Sequence, residues 1–103
     1  MNLKNFTKGW LVGDFTPSIF QTKDIEIAIK KYKKGDKEKK HYHKIAIEYT
    51  TVLSGKIKMI DQIFNPDDIV VVDKNIENEF ECLEDCILLV IKTPSVIGDK
   101  YES

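Results

Sequence analysis

The sequence predicts an all-β domain, a sandwich or small barrel, on three observations. The apolar residues are strand formers: isoleucine occurs 14 times and valine 7 times, but alanine only twice. Both favoured types are stiff at χ1 and pack well on a pleated surface. Short alternating segments recur along the chain with turn residues between them. No window long enough for a stable helix shows a helical period. A chain of 103 residues has room for one domain, so 1–103 is read as a single unit.

The elements follow in order. Residues 1–22 hold two candidate short strands, Trp10 to Phe15 and Ile19 to Gln21, parted by Pro17. In DIEIAIKKYK, Ile25, Ile27 and Ile29 alternate with Glu26, Ala28 and Lys30, the signature of a half-buried strand. EYTTVLS, KIKMID, DIVVVD, the segment from Ile76 to Leu83, and CILLVIK follow as further strands. Turns are expected at Gly35-Asp36, Ser54-Gly55, Asn65-Pro66-Asp67-Asp68, Lys74-Asn75, Glu84-Asp85 and Thr93-Pro94. Residues 94–103 read as a tail.

Charge excludes several function classes. All 16 basic residues are lysine and the net charge is −1, so nucleic-acid binding has no global electrostatic support. No apolar run reaches the ~18 residues a membrane span needs. The first residues lack the apolar core and cleavage site of a signal peptide, so a cytoplasmic address is the default expectation. Locally the charge is uneven. Residues 30–44 carry eight lysines against two acids, and residues 61–85 carry nine acids against Lys74. These stretches are either solvated faces or surfaces that meet across a subunit contact or a pocket.

The stretch GDKEKKHYHKIAIEYTTVLSG carries the chemistry. His41 and His43 are the only histidines. Two residues apart on a strand, they point to one side with Cα atoms roughly 6–7 Å apart, close enough to lean onto one ion. Glu48 lies at an odd offset from them. The chain from Lys44 to Ile47 must bend or bulge for Glu48 to join the pair. Two imidazole nitrogens and a carboxylate suit Zn²⁺, Fe²⁺, Mn²⁺ or Ni²⁺. The competing reading is a hydrogen-bonded histidine pair with no metal.

Gly35, His41, His43, Glu48 and Gly55 fall at the spacing G-x5-H-x-H-x4-E-x6-G. That pattern resembles the first signature motif of the cupin superfamily at each fixed position. The resemblance implies a small double-stranded β-helix, or jelly-roll, barrel with His41, His43 and Glu48 lining its interior as ligands of a divalent metal. It also implies a homodimer, with the N-terminal strands of residues 1–22 in the interface.

The second cupin motif is degraded. Asp67, Asp73 and Asn75 stand where the family has glycine, proline and glycine, and Asn78 stands where it has a metal-binding histidine. Asn75 still suits a left-handed turn position. An amide oxygen is a weaker ligand for transition metals. The metal site is then completed by Asn78 or water, or it is vestigial. Glu77 and Glu79 flank the position as lower-ranked ligands.

Tyr42 and Tyr49 are expected to face away from the motif side chains. Cys82 and Cys86 read as small buried residues of a hairpin around Glu84-Asp85. Lack of arginine disfavours pyrophosphate clamping and with it metal-independent sugar epimerisation. The resemblance supports a metal-dependent protein that binds or acts on a small oxygen-rich ligand, such as a sugar or sugar phosphate. A non-enzymatic binding module or sensor, or a structural dimer, is the alternative. No general base is evident; Glu48, if unligated, is the best candidate.

Overall fold

A computed structural model describes all residues, 1–103. Nine strands form one continuous hydrogen-bonded sheet rolled into a barrel. They are β1 (Trp10–Gly13), β2 (Phe20–Gln21), β3 (Glu26–Tyr32), β4 (Lys37–Tyr42), β5 (Ile47–Met59), β6 (Gln62–Phe64), β7 (Ile69–Val72), β8 (Asn78–Thr93) and β9 (Tyr101–Glu102). The only helical pieces are two 3-10 turns, Leu3–Asn5 and Thr7–Gly9. The fold is the expected all-β double-stranded β-helix.

Two long strands organise it. β5 and β8 run antiparallel along nearly their whole length. One half of this ribbon takes β7 on one side and β3, β1 and β2 on the other. The other half takes β6 and β4, with β9 beyond β4.

This overturns two expected turns. Ser54-Gly55 and Glu84-Asp85 do not end strands; β5 and β8 pass straight through them. The ladder register shifts between Val52 and Ser54, Ser54 and Lys56, and Lys56 and Ile57. Such bulges let a strand turn a corner from one wall of a barrel to the next. Gly55 sits at φ +86°, and a Cβ there would lie 2.2 Å from the Asp85 carbonyl oxygen. The two breakers therefore face each other at one corner, and the glycine permits the close approach. Cys82 and Cys86 lie on one strand either side of that corner, not across a hairpin. They are buried free thiols with Sγ atoms 3.4 Å apart. Burial and then the neighbouring Cys82 push the Cys86 thiol up to about 12, consistent with a packing role.

Other turns hold. Asn75 has φ +64°, and Asp67, at the motif's other glycine position, has φ +74°. The basic and acidic stretches meet within one chain: β4 pairs with the start of β8, setting Lys37 opposite Glu81, and Lys40 lies 3.4 Å from Glu77.

The core lies between the walls and contains Val52, Ile57, Met59, Val70, Phe80, Cys82 and Leu88. Burying each aliphatic side chain contributes roughly 1.5–3 kcal/mol. Of the isoleucines, however, only Ile57 is buried. On β3 it is Glu26 and Ala28 that face inward, while Ile25, Ile27 and Ile29 stay partly exposed outside. The isoleucine excess paves the outer face rather than the barrel lining. No helix is long and apolar enough to cross a membrane.

Candidate functional site

β4 delivers His41 to the interior and ends at Tyr42. His43 follows on the same side, and both histidines are buried, with ring centroids 5.3 Å apart. The chain then bends through Lys44 and Ile45 before β5 begins at Ile47. That bend cancels the odd sequence offset and brings Glu48 inward, its Oε1 3.6 Å from His43 Nε2. Tyr42 faces the other way and stacks on Tyr101, with ring centroids 5.5 Å apart. Tyr49, beside Glu48, lies outside opposite Val71.

The C-terminal segment holds the bend, a role that nothing in the sequence signalled. The Asp99 carboxylate accepts three backbone N–H bonds, from Lys44 at 2.9 Å, Ile45 at 3.1 Å and Ala46 at 2.9 Å. Burial alone would raise this carboxyl; the three N–H donors and then His43 outweigh it and hold the group below its ordinary range. The Asp99 carbonyl also accepts from His43 Nδ1. Further back, the Ser95 hydroxyl donates to the buried Glu26 carboxylate at 2.8 Å and accepts from the Asp14 N–H. Residues 94–103 are thus a strap tied across one barrel end, closed by the pairing of β9 with β4.

Both imidazoles have their orientation set. His41 Nδ1 lies 2.8 Å from the Lys39 carbonyl, and His43 Nδ1 is bonded to the Asp99 carbonyl. A carbonyl only accepts, so Nδ1 carries the hydrogen in each ring. In the neutral form Nε2 then presents a lone pair, the arrangement in which histidine binds metals. His43 Nε2 is buried and has no hydrogen-bond partner. Burial would raise the Glu48 carboxyl, but the adjacent His43 imidazole, the charge of Lys92 and the Thr50 hydroxyl bring it below its ordinary range. Glu48 is therefore a carboxylate facing a lone pair, a contact that needs a proton or a cation between the two atoms.

Asn78 is buried and lies opposite His41 on the neighbouring strand. Its Oδ1 accepts from the Ile60 N–H at 3.0 Å, which leaves the amide NH₂ as its free polar group. Glu77 and Glu79 are exposed, and Glu77 pairs with Lys40; neither joins the cluster. No group of three His, Cys, Asp or Glu side chains is gathered tightly enough to hold an ion as the side chains stand. The donor chemistry of His41, His43 and Glu48, two imidazoles and a carboxylate, fits a divalent metal.

His41, Glu48 and Asn78 open onto a cavity of about 220 Å³. Its floor is apolar, with Met59, Phe80, Leu88 and Val90. Its mouth is cationic: Lys8, Lys30, Lys92 and Lys100 all line it. Trp10 forms one wall. The Lys30 and Lys92 ammonium groups lie 4.8 Å and 5.1 Å from its ring centroid. On the adjoining strand β3, the Tyr32 hydroxyl donates to Glu38 at 2.8 Å. Burial, then the Glu38 charge, pushes the Tyr32 hydroxyl far up, so it stays protonated and donates.

The sequence matches no protein-family model and no curated protein. Solved structures do match. An uncharacterized conserved protein with a double-stranded β-helix domain, from Klebsiella pneumoniae, superposes with a TM-score of 0.76 at 14% identity, covering 100% of this chain and 89% of that one. KdgF from Halomonas sp. gives 0.68 at 19% identity, covering 73% and 74%. A sugar phosphate isomerase from a cupin superfamily, from Silicibacter pomeroyi, gives 0.64 at 17%, covering 70% and 52%. At these identities the likeness is one of fold. The chain has the double-stranded β-helix fold of the cupins, and His41 and Glu48 of its motif line the barrel's cavity.

Proposed function

We propose that this protein is a small metal-binding cupin whose His41, His43 and Glu48 take a divalent ion beside the cavity, with Asn78 adjoining. The observation that carries the reading is the buried, partnerless Nε2 of His43, its tautomer set by the Asp99 carbonyl and its lone pair aimed at Glu48. A bound ion would supply positive charge able to polarise an oxygen of a ligand. The chain's own residues do the rest. The lysine collar attracts an anionic group, the apolar floor excludes water from its far side, and Asn78 offers an amide donor.

The ligand class is a small, oxygen-rich anion, such as a sugar phosphate or carboxylic acid. The lysines support this, and one fold neighbour is described as a sugar phosphate isomerase. Elemental analysis of purified protein should find one equivalent of Zn, Fe, Mn or Ni, lost in the His41→Ala, His43→Ala double variant. Metal-free protein whose melting temperature ignores both EDTA and added metal would sink the proposal. A second reading, a non-enzymatic binding module on the same barrel, is favoured by Asn78, whose oxygen is engaged by Ile60. Thermal-shift screening of sugar phosphates, followed by a turnover assay on each hit, separates the two.

We further propose that the protein is a homodimer, on the apolar character of its outer face. Val71, Tyr49, Ile91, Ile27, Val12 and Phe20 form an unbroken row across the outside of six strands. At a strand spacing of about 4.8 Å the face is about 24 Å wide. Apolar faces of this breadth mark interaction sites. Having no charge in that row, the face is self-complementary and suits a second copy of the chain. The N-terminal strands β1 and β2 form one end of it, and Phe20 is 57% exposed there.

A further inference from the structure

Sixteen lysines and no arginine would ordinarily scatter over a surface. Here four of them, Lys8, Lys30, Lys92 and Lys100, line one cavity. None of the four takes part in any of the protein's ion pairs. Lys30 differs from the other three in its placement. It stands on the inner face of β3, opposite the buried Leu88. Its own wall is Trp10 and its nearest opposite charge is Glu38, whose carboxylate is already engaged by Tyr32.

We propose that Lys30 is an imine-forming residue, its amine adding to the aldehyde or ketone carbonyl of a small anionic ligand whose carboxylate or phosphate is held by Lys8, Lys92 and Lys100. In the reaction Nζ attacks the carbonyl carbon. A carbon–nitrogen double bond replaces the carbon–oxygen one, and the oxygen leaves as one water carrying both protons of the amine. No oxidant or reductant enters. The proposal concerns the cavity of the preceding section but does not depend on the metal.

The physical case has three parts. A lysine is nucleophilic only as the free amine, which desolvation and neighbouring cations favour. Both act on Lys30: burial lowers it to about 8, Glu38 opposes this, and Lys92, Lys8 and Lys100 add to it. Against an ordinary 10.5 this gives roughly 300-fold more free amine at neutral pH. Next, the three remaining ammonium groups are anion contacts at the same opening, so a carbonyl beside a carboxylate or phosphate is brought to Nζ. Last, the Tyr32 hydroxyl, on the strand that carries Lys30, gives its one hydrogen to Glu38, and no carboxylate forms an ion pair with Lys30.

The test is reductive trapping. Full-length protein, with and without EDTA, is incubated at neutral pH with sodium cyanoborohydride and either pyruvate or glyceraldehyde 3-phosphate. Adducts are then located by peptide mass mapping. The expected result is one principal adduct, on Lys30, at least tenfold above any other lysine, for at least one probe. Excess inorganic phosphate should suppress it and EDTA should leave it in place. Its rate should rise through pH 8. The Lys30→Arg variant keeps the charge and should lose the adduct; Lys23→Arg, away from the cavity, should not. Adducts spread evenly over the lysines, an adduct confined to another lysine, or no adduct with either probe would overturn the proposal. The mapping on unaltered protein decides this even if Lys30→Arg fails to fold. An EDTA-insensitive adduct on Lys30 would leave this proposal standing even where elemental analysis and the melting temperature sink the metal reading.

Discussion

The two faces of one wall of the barrel are chemically inverted. Inside, the row nearest the site reads Val72, Glu48, Lys92 and Glu26 across β7, β5, β8 and β3. Outside, one residue along each strand, the row reads Val71, Tyr49, Ile91 and Ile27. A soluble sheet normally places the apolar row within and the charged row in water. Here ionisable groups occupy the interior because they line a cavity, and isoleucines occupy the exterior. The difference teaches that alternation reveals a strand without revealing which of its faces is enclosed. An enclosed charged row is costly unless each member is paired or used. Glu26 is satisfied by Ser95 and Glu48 by Thr50, while Lys92 takes part in no ion pair.

The largest expected effect compares neighbours on β8. Leu88 points into the core and is 2% exposed, whereas Leu89 lies on the outer face. Leu88→Ala should cost about 3 kcal/mol in chemical denaturation. Leu89→Ala should cost less than about 1 kcal/mol in dilute protein, where the face is uncovered. Equal costs would mean that the outer face is as enclosed as the core.

The corner shared by the walls comes next. Gly55→Ala places a Cβ against the Asp85 carbonyl in a left-handed backbone, and about 2 kcal/mol of destabilisation is expected. A neutral result would show that β5 and β8 do not approach each other there. Asp99→Asn, at the strap, removes a charged acceptor of three N–H bonds. It should cost about 1.5 kcal/mol at neutral pH and carries a pH signature. The folded Asp99 carboxyl lies below its ordinary value of 3.8. Its contribution is therefore complete above that value and disappears as pH falls through it and below. Melting temperature measured from pH 6 to pH 3 should fall less steeply in metal-free Asp99→Asn than in the unaltered protein; parallel curves would refute the role. The smallest stability effect belongs to the outer face. Val71→Lys should change monomer stability by under about 0.5 kcal/mol, yet shift sedimentation from dimer to monomer. An unchanged dimer would move the interface elsewhere.

Much of this was legible beforehand. Period-2 runs and turn residues mark most strands, and the G-x5-H-x-H-x4-E-x6-G spacing marks the barrel and the cluster at its heart. Left-handed Asn75 could be anticipated because asparagine tolerates that conformation. Other features could not. The Ser54-Gly55 and Glu84-Asp85 breakers look the same whether a strand ends or turns a corner. Asp99 is one acid in a polar tail, 55 residues beyond the bend it holds. Trp10, Lys8, Lys30, Lys92 and Lys100 are scattered over most of the chain.

Local order therefore settles what depends on neighbours along the backbone: strands, turns, and the shared direction of His41 and His43. Rolling the sheet decides the rest. It chooses the enclosed face, since closure places one face of every strand inside at once. It brings the strap beneath His43, fixing the ring nitrogen that bears the lone pair. It also gathers four lysines from distant segments around one opening, because the cavity's wall is built from strands that only the long β5–β8 ribbon brings together.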